Sequence, residues 1–193
     1  YLDAGKGWVT QVTLAAELPN GQEVAGLLRR NGVVAALGHT NTDYDTASAA
    51  LRGNFTHVTH TFNAQSSFDH RAPGVFGAVL GSDYATAEMI GDGIHVHPGA
   101  MKVLLRCLGT DRVVLITDAI MGAGLADGDY HLVGHEVTVA NGRATLANGT
   151  LAGSVATLNQ CVRNVHKLAG YPLADAVKLA SLNPARAMGF AGR

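Results

Sequence analysis

Val113-Val114-Leu115-Ile116-Thr117-Asp118-Ala119 is a short apolar run that ends on a carboxylate and then breaks into Met121-Gly122-Ala123-Gly124. Consecutive Val, Leu and Ile bounded by glycines read as a strand buried on both faces, the kind found in parallel sheets. A carboxylate at the carboxyl end of such a strand sits where α/β folds place their chemistry. Two earlier runs end the same way on histidine. Val33-Val34-Ala35-Ala36-Leu37-Gly38 leads into His39, and Phe55-Thr56-His57-Val58-Thr59 leads into His60. If these strands share one sheet, His39, His60 and Asp118 emerge at the same rim.

The flanking sequence supplies the helices such a sheet needs. Val9 to Leu14 reads as a strand, and Asn20-Gly21 opens a helix with Val24, Leu27 and Leu28 on one face, stopped at Asn31-Gly32. Thr40-Asn41-Thr42-Asp43 offers N-caps for a helix from Tyr44 to Leu51, closed by Gly53-Asn54. Gln65 to Pro73 reads as a loop and Ala85 to Ile90 as a further strand, followed by a helix from Gly99 to Leu108. After Asp118 the pattern changes: Tyr130 to Val133 and Glu136 to Val139 form a small β-hairpin insertion at about 129–150, with Asn141-Gly142 and Asn148-Gly149 as turn signals. Two helices close the chain, Val155 to Leu168 and Leu173 to about Leu182. Four or five strands alternating with helices predict an α/β fold. A complete (β/α)8 barrel takes ~250 residues, so the pattern fits the second half of a barrel or a smaller open sheet.

Composition narrows the function classes. The 193 residues suffice for one domain with a real core, and a net charge of -1 gives no basic footprint for nucleic acid or an anionic membrane. Cys107 and Cys161 are far apart and form no CxxC, so they predict neither a disulfide framework nor a thiolate zinc site. Both are expected on helices as buried or half-buried thiols, in keeping with a cytoplasmic location. No apolar run approaches the ~20 residues of a membrane span, and no signal peptide is visible. The 24 glycines suit tight loops around a ligand, and nine histidines suit metal or acid–base chemistry. Tyr1 rather than methionine opens the chain, which suggests a piece of a longer protein.

Each polar residue at the rim has a plainer alternative. His39 and His60 suit Zn2+ through imidazole nitrogen, or simply cap strand ends by hydrogen bonds. His57 points to the opposite side of its strand from His60 and reads as structural. Asp118 could bind metal, serve as a general base on an activated water, or close an Asx-turn. His95, in Gly91-Asp92-Gly93-Ile94-His95, could donate to a substrate oxygen, and Arg71 could fork onto phosphate or carboxylate or stay solvated.

Taken together, Gly38-His39-Thr40, His60-Thr61-Phe62-Asn63-Ala64, Arg71-Ala72-Pro73-Gly74, Asp92-Gly93-Ile94-His95, Thr117-Asp118-Ala119 and Leu151-Ala152-Gly153-Ser154 occur in order. With Asn183-Pro184-Ala185-Arg186-Ala187 near the end, this series resembles the N-acetylglucosamine-6-phosphate deacetylases of the amidohydrolase superfamily. The resemblance implies a (β/α)8 TIM barrel of which the chain supplies roughly the fourth to eighth strands. It implies His39 and His60 as metal ligands, Zn2+ foremost, and Asp118 as the catalytic acid/base. It further implies Asn63, Ala64, Arg71, His95 and Leu151 as substrate-binding residues, with Arg71 serving a neighbouring subunit of a homodimer. The implied reaction is hydrolysis of the acetamide to glucosamine-6-phosphate and acetate, with no nucleic-acid or membrane partner.

Three departures from the family pattern stand out. The family's glutamate ligand, in a His-x-Glu-Gly-Pro type stretch on an earlier strand, is absent, and Glu17 is not its counterpart. Part of the small flanking β-domain is also absent. Ala16 stands where proline is usual and Gln65 where methionine is common, which touches loop shape alone. Two other functions fit the same residues less well: another amidohydrolase, dihydroorotase-like or an amino-acid deacetylase, and a non-catalytic sugar-phosphate binding protein, for which Asp118 would be superfluous.

Overall fold

The computed structural model describes residues 1–5 and 7–192. In chain order the elements are α1 (Leu2–Gly5), β1 (Gln11–Leu14), α2 (Gly21–Arg30), β2 (Val34–Leu37), α3 (Tyr44–Arg52), β3 (Phe55–Val58), α4 (Gly74–Leu80) and β4 (Thr86–Ile90). They continue with α5 (Pro98–Leu108), β5 (Val113–Ile116), β6 (Gly128–Leu132), β7 (His135–Ala140), β8 (Arg143–Thr145), α6 (Leu158–Lys167), α7 (Leu173–Ala180) and α8 (Leu182–Ala187).

β1 to β5 form one parallel sheet in the order β1-β2-β3-β4-β5. Each successive strand is added on the same side, with no reversal of order. That winding is the one a (β/α)8 barrel requires, whereas an open doubly wound sheet reverses at a switch point. The chain is therefore part of a TIM barrel, and all five strands end at one rim.

The core lies between this sheet and its helices, built on Leu37, Leu51, Phe55, Val58, Met89, Leu104, Leu105 and Leu115. Its helix-facing positions are unusually rich in alanine (Ala25, Ala35, Ala47, Ala50, Ala78, Ala87), which lets helix and sheet backbones approach closely. α2 shows the consequence: its buried side is Gly21, Ala25, Gly26 and Leu28, while Val24 and Leu27 are exposed, contrary to the sequence expectation. Both faces satisfy the helical period, and the smaller one packs. Asp43 caps α3 by accepting from the Thr46 N–H at 2.8 Å. The sequence pattern does not predict α4; its glycines and valines are poor helix formers, and burial of Val75, Phe76, Ala78 and Val79 holds it. Near the C-terminus Asn183 is buried and its Nδ2 donates to the carbonyls of Thr110 and Val113, tying α8 to the entry of β5. α6 and α7 also pack on β5.

β6, β7 and β8 form a separate antiparallel sheet around a small core of Ile120, Val137, Val139, Ala144 and Ala152. The sequence predicts two strands here; the third, Arg143–Thr145, follows the expected Asn141-Gly142 turn. Both connections are two-residue turns with positive φ throughout, Val133 at 46° and Gly134 at 82°, Asn141 at 52° and Gly142 at 76°.

Candidate active site

Five residues at the sheet's carboxyl rim hold left-handed backbone conformations despite their side chains: His39 at φ 49°, His60 at 27°, Phe62 at 80°, Ala64 at 45° and Asp118 at 50°. Such conformations are uncommon outside glycine, and their clustering at one place marks a site where geometry outranks backbone comfort.

His39 leaves β2 and His60 leaves β3, and their Nε2 atoms meet at 2.8 Å with the rings edge to face. Gly38 is required because a Cβ there would lie 2.7 Å from Thr59 Cβ and 2.9 Å from Thr13 Cγ2. The close approach that Gly38 permits is thus by neighbouring strands rather than by ligand. Behind His60, the buried Glu88 of β4 accepts from the His60 backbone N–H at 3.1 Å, from Gln11 Nε2 at 3.0 Å and meets His57 Nε2 at 3.0 Å. Burial opposes ionisation of Glu88, yet the His57 hydrogen bond and charge, with the Gln11 and His60 bonds, hold its carboxyl below the usual value. His57 is buried with both ring nitrogens engaged, as a structural residue would be.

Asp118 extends past the end of β5 with its carboxylate exposed to the cleft. Its backbone is clamped by the returning segment: Ser154 N–H donates to Asp118 O at 2.7 Å, Ile120 N–H donates to Ser154 O at 2.9 Å, and Ser154 Oγ donates to Thr117 O. His95 follows β4. Its Nδ1 lies 2.6 Å from Asp92 Oδ2, with the two side chains only 7% and 4% exposed. The sequence motif contains Asp92 but assigns it no role.

These elements enclose a cleft of about 640 Å3 lined by His39, His60, Asn63, Ala64, His95, Asp118 and Leu151 among others. Its far wall is the small sheet, through Leu132, Val133, His135 and Leu146. The sequence reading does not include His135; its alternation with the inward Val137 and Val139 is the signal that could have found it. Asn63 Nδ2 reaches the carbonyls of His60 and Thr61. Arg71 is exposed on the 65–73 loop and does not line the cleft. Glu17 is engaged elsewhere, accepting from Thr40 Oγ1 at 2.5 Å and the Asn41 N–H at 3.0 Å. Gln65 donates to Thr59 O at 2.7 Å, which fixes the loop after β3.

The donor set fits part of a metal site. Two imidazole Nε2 atoms converge on one point, and His60 Nδ1 is buried without a partner among the described residues. An open catalytic zinc site takes three protein ligands. Among the described residues no group of three or more His, Cys, Asp or Glu side chains is placed to hold an ion; the His39–His60 pair is two imidazoles brought together without a third such group.

Parallel strands in sequential order, with polar side chains at the carboxyl rim, make the chain part of a TIM barrel whose rim carries the candidate site. No family model matches it. It is 39% identical over 178 residues to N-acetylglucosamine-6-phosphate deacetylase of Lysinibacillus sphaericus, covering 92% of this chain and 46% of the relative. It is also 39% identical over 181 residues to an N-acetylgalactosamine-6-phosphate deacetylase of Escherichia coli, covering 94% of this chain and 48% of that one. Its structure superposes with a TM-score of 0.94 and 40% identity on a mutant N-acetyl-D-glucosamine-6-phosphate deacetylase of Mycobacterium smegmatis in complex with N-acetyl-D-glucosamine-6-phosphate, covering 97% of this chain and 51% of that one. The chain belongs to the N-acetylglucosamine-6-phosphate deacetylase family. It spans about half the length of most of the curated relatives it matches.

Proposed function

We propose that the protein carrying this chain hydrolyses the acetamide of N-acetylglucosamine-6-phosphate to glucosamine-6-phosphate and acetate. The observation that carries the reading is the convergence of His39 and His60 Nε2 at 2.8 Å in the cleft that Asp118 and His95 also line. His39 and His60 would hold a divalent metal, Zn2+ by the preference of paired imidazoles. Bound there, it supplies Lewis-acid polarisation of the amide carbonyl and lowers the pKa of water. Asp118, free of hydrogen-bond partners through its carboxylate among the described residues, takes the proton from the attacking water and returns it to the leaving amine. Asn63, Ala64, His95 and Leu151 bind the sugar phosphate along the same cleft.

The reading includes a homodimer in which Arg71, exposed and outside its own cleft, reaches the phosphate bound by the partner. It includes a cytoplasmic location, supported by the unpaired thiols of Cys107 and Cys161. Residues 1–193 act as part of one catalytic barrel domain, with the small sheet as an insertion. Among the described residues no helix is long and apolar enough to cross a membrane.

A second reading, the galactosamine epimer as substrate, is favoured by the 39% identity shared equally with relatives named for each sugar. The deciding experiment is acetate release from both N-acetylated sugar phosphates, with Asp118→Asn as control. Release abolished by the substitution supports the deacetylase, and the faster sugar identifies the substrate. No release from either sugar overturns both readings.

A further inference from the structure

We propose that Glu17 is a positioning residue for His39: its carboxylate brackets the turn immediately after the histidine and so holds the imidazole where it meets His60. The inference rests on the metal-ligand reading of His39 and His60 above and adds the residue that keeps one of the two in place.

The two histidines are held differently. His60 is buried, and its backbone N–H donates to Glu88. His39 is exposed and has a left-handed φ of 49°, so burial does not enforce its conformation and its chain neighbours must. Before it, Gly38 is wedged between Thr13 and Thr59, and its N–H donates to Leu14 O at 3.3 Å. After it, Thr40 is only 4% exposed, and its N–H donates to Ala64 O at 3.1 Å. Glu17 closes this second side: Oε2 accepts from Thr40 Oγ1 at 2.5 Å and Oε1 from the Asn41 N–H at 3.0 Å.

An ionised carboxylate has only acceptor sites, so the Thr40 hydroxyl donates to Glu17 and turns a lone pair to the Thr42 N–H at 3.2 Å. Asp43, the next residue, caps α3, so the stretch from His39 to the helix is tied down step by step. Glu17 is itself carried on a fixed support. Ala15 and Ala16 are buried, and a Cβ on Gly21 at the start of α2 would lie 2.7 Å from Ala15 O and 3.1 Å from Ala16 O. The carboxylate does not join the two imidazoles in a group of three placed to hold an ion, for none exists among the described residues. Its effect on His39 passes through the backbone.

The test is the Zn2+ affinity of the protein carrying this chain, by equilibrium dialysis, for the wild type, Glu17→Ala and Glu17→Gln, with NMR of the histidine rings in the metal-free protein beside it. Loss of the bracket in Glu17→Ala is expected to weaken Zn2+ binding about tenfold, the scale for a ligand's supporting partner. The His39 ring signals should broaden, while those of His57, held in the buried network with Glu88, stay as in the wild type. Glu17→Gln can keep both contacts, its carbonyl oxygen on the Asn41 N–H and its NH2 donating to Thr40 Oγ1, and should bind Zn2+ as the wild type does. Wild-type affinity in Glu17→Ala overturns the proposal. So does an equal loss in both variants, which would make the charge rather than the bracket responsible. If Glu17→Ala fails to fold, Glu17→Asp, too short to span the bracket, takes its place with the same outcomes. If the wild type binds no Zn2+, the ligand reading falls, and the His39 ring signals decide alone: broadened in Glu17→Ala with His57 unchanged they support the bracket, and unmoved they overturn it.

Discussion

His39 and His60 present their Nε2 atoms to each other at 2.8 Å from the ends of adjacent parallel strands, each through a residue in left-handed conformation. Two neutral imidazoles can share only one proton in that contact, and the pair gains little from it in water. A cation at the meeting point satisfies both lone pairs. His39→Gln or His60→Gln is therefore expected to weaken divalent-metal binding by more than about 100-fold, beyond what loss of a ligand's supporting partner does. Equilibrium dialysis against Zn2+ reads this directly. A variant that keeps full metal occupancy would remove that histidine from the ligand role.

Asp118 combines an exposed carboxylate with φ of 50°. Asparagine tolerates that conformation nearly as well as aspartate, whereas alanine does not. Asp118→Asn should leave thermal stability unchanged and lower kcat by about 10²–10⁴-fold, the range for a lost general base. Asp118→Ala should lose the same activity and in addition about 1–2 kcal/mol of stability. Equal melting temperatures for the two variants, by calorimetry, would show that the strain is not borne by this residue.

The rim was legible because strands announce their ends: an apolar run stops at Gly38, Thr59 or Thr117, and the next side chain is a histidine or an acid. What lies across the sheet was not. Glu88 sits in mid-strand 28 residues from His60, and no spacing rule links the two. Asp92 lies in plain view in the Asp92-Gly93-Ile94-His95 stretch, but only the fold reveals that its carboxylate is buried against the imidazole. The apolar period misplaces the buried face of α2 since small residues, not large ones, face a tightly packed sheet. Cys107, expected buried or half-buried, is exposed because α5 turns that edge outward while Met101, Leu104, Leu105 and Leu108 pack inward.

That difference between the thiols is itself measurable. Cys161 is buried and its thiol is pushed up to about 11, so it is neither reachable nor ionised near neutrality. Cys107 is exposed. In the native protein, a disulfide reagent should modify Cys107 and spare Cys161, with both reacting after denaturation. Peptide mapping that finds Cys161 modified first would contradict the packing of α6 on β5.

Glu88 anchors a buried network joining β1, β3 and β4 through Gln11, His57 and the His60 backbone. Its folded pKa lies below the ordinary 4.5, so the stabilisation is fully present above 4.5 and is lost as pH falls through the folded value. Asp92, lowered from 3.8, adds to the same acid limb at lower pH. Melting temperature should therefore fall below about pH 4.5, and Glu88→Gln should flatten the upper part of that fall. Glu88→Ala strands several buried donors and should cost about 3–5 kcal/mol. An unchanged acid limb in Glu88→Gln would mean that the carboxylate is not the group responsible.

Gly153 decides where Asp118 stands. Its φ is 71°, and a Cβ there would lie 2.7 Å from Ile120 Cγ2 and 2.9 Å from the Asp118 carbonyl oxygen. The Ile120 side chain belongs to the small core and Asp118 O is fixed by the Ser154 N–H, so neither can retreat without moving the acid. Gly153→Ala should cost at least about 1–2 kcal/mol from the left-handed backbone alone. It should also reduce kcat more than Ser154→Ala, which removes the hydroxyl's bond to Thr117 O and the one it accepts from the Ala156 N–H. Measuring both variants separates displacement of Asp118 from general loosening of the segment. If Gly153→Ala lowers stability but leaves kcat at the wild-type value, the position of Asp118 does not depend on this contact.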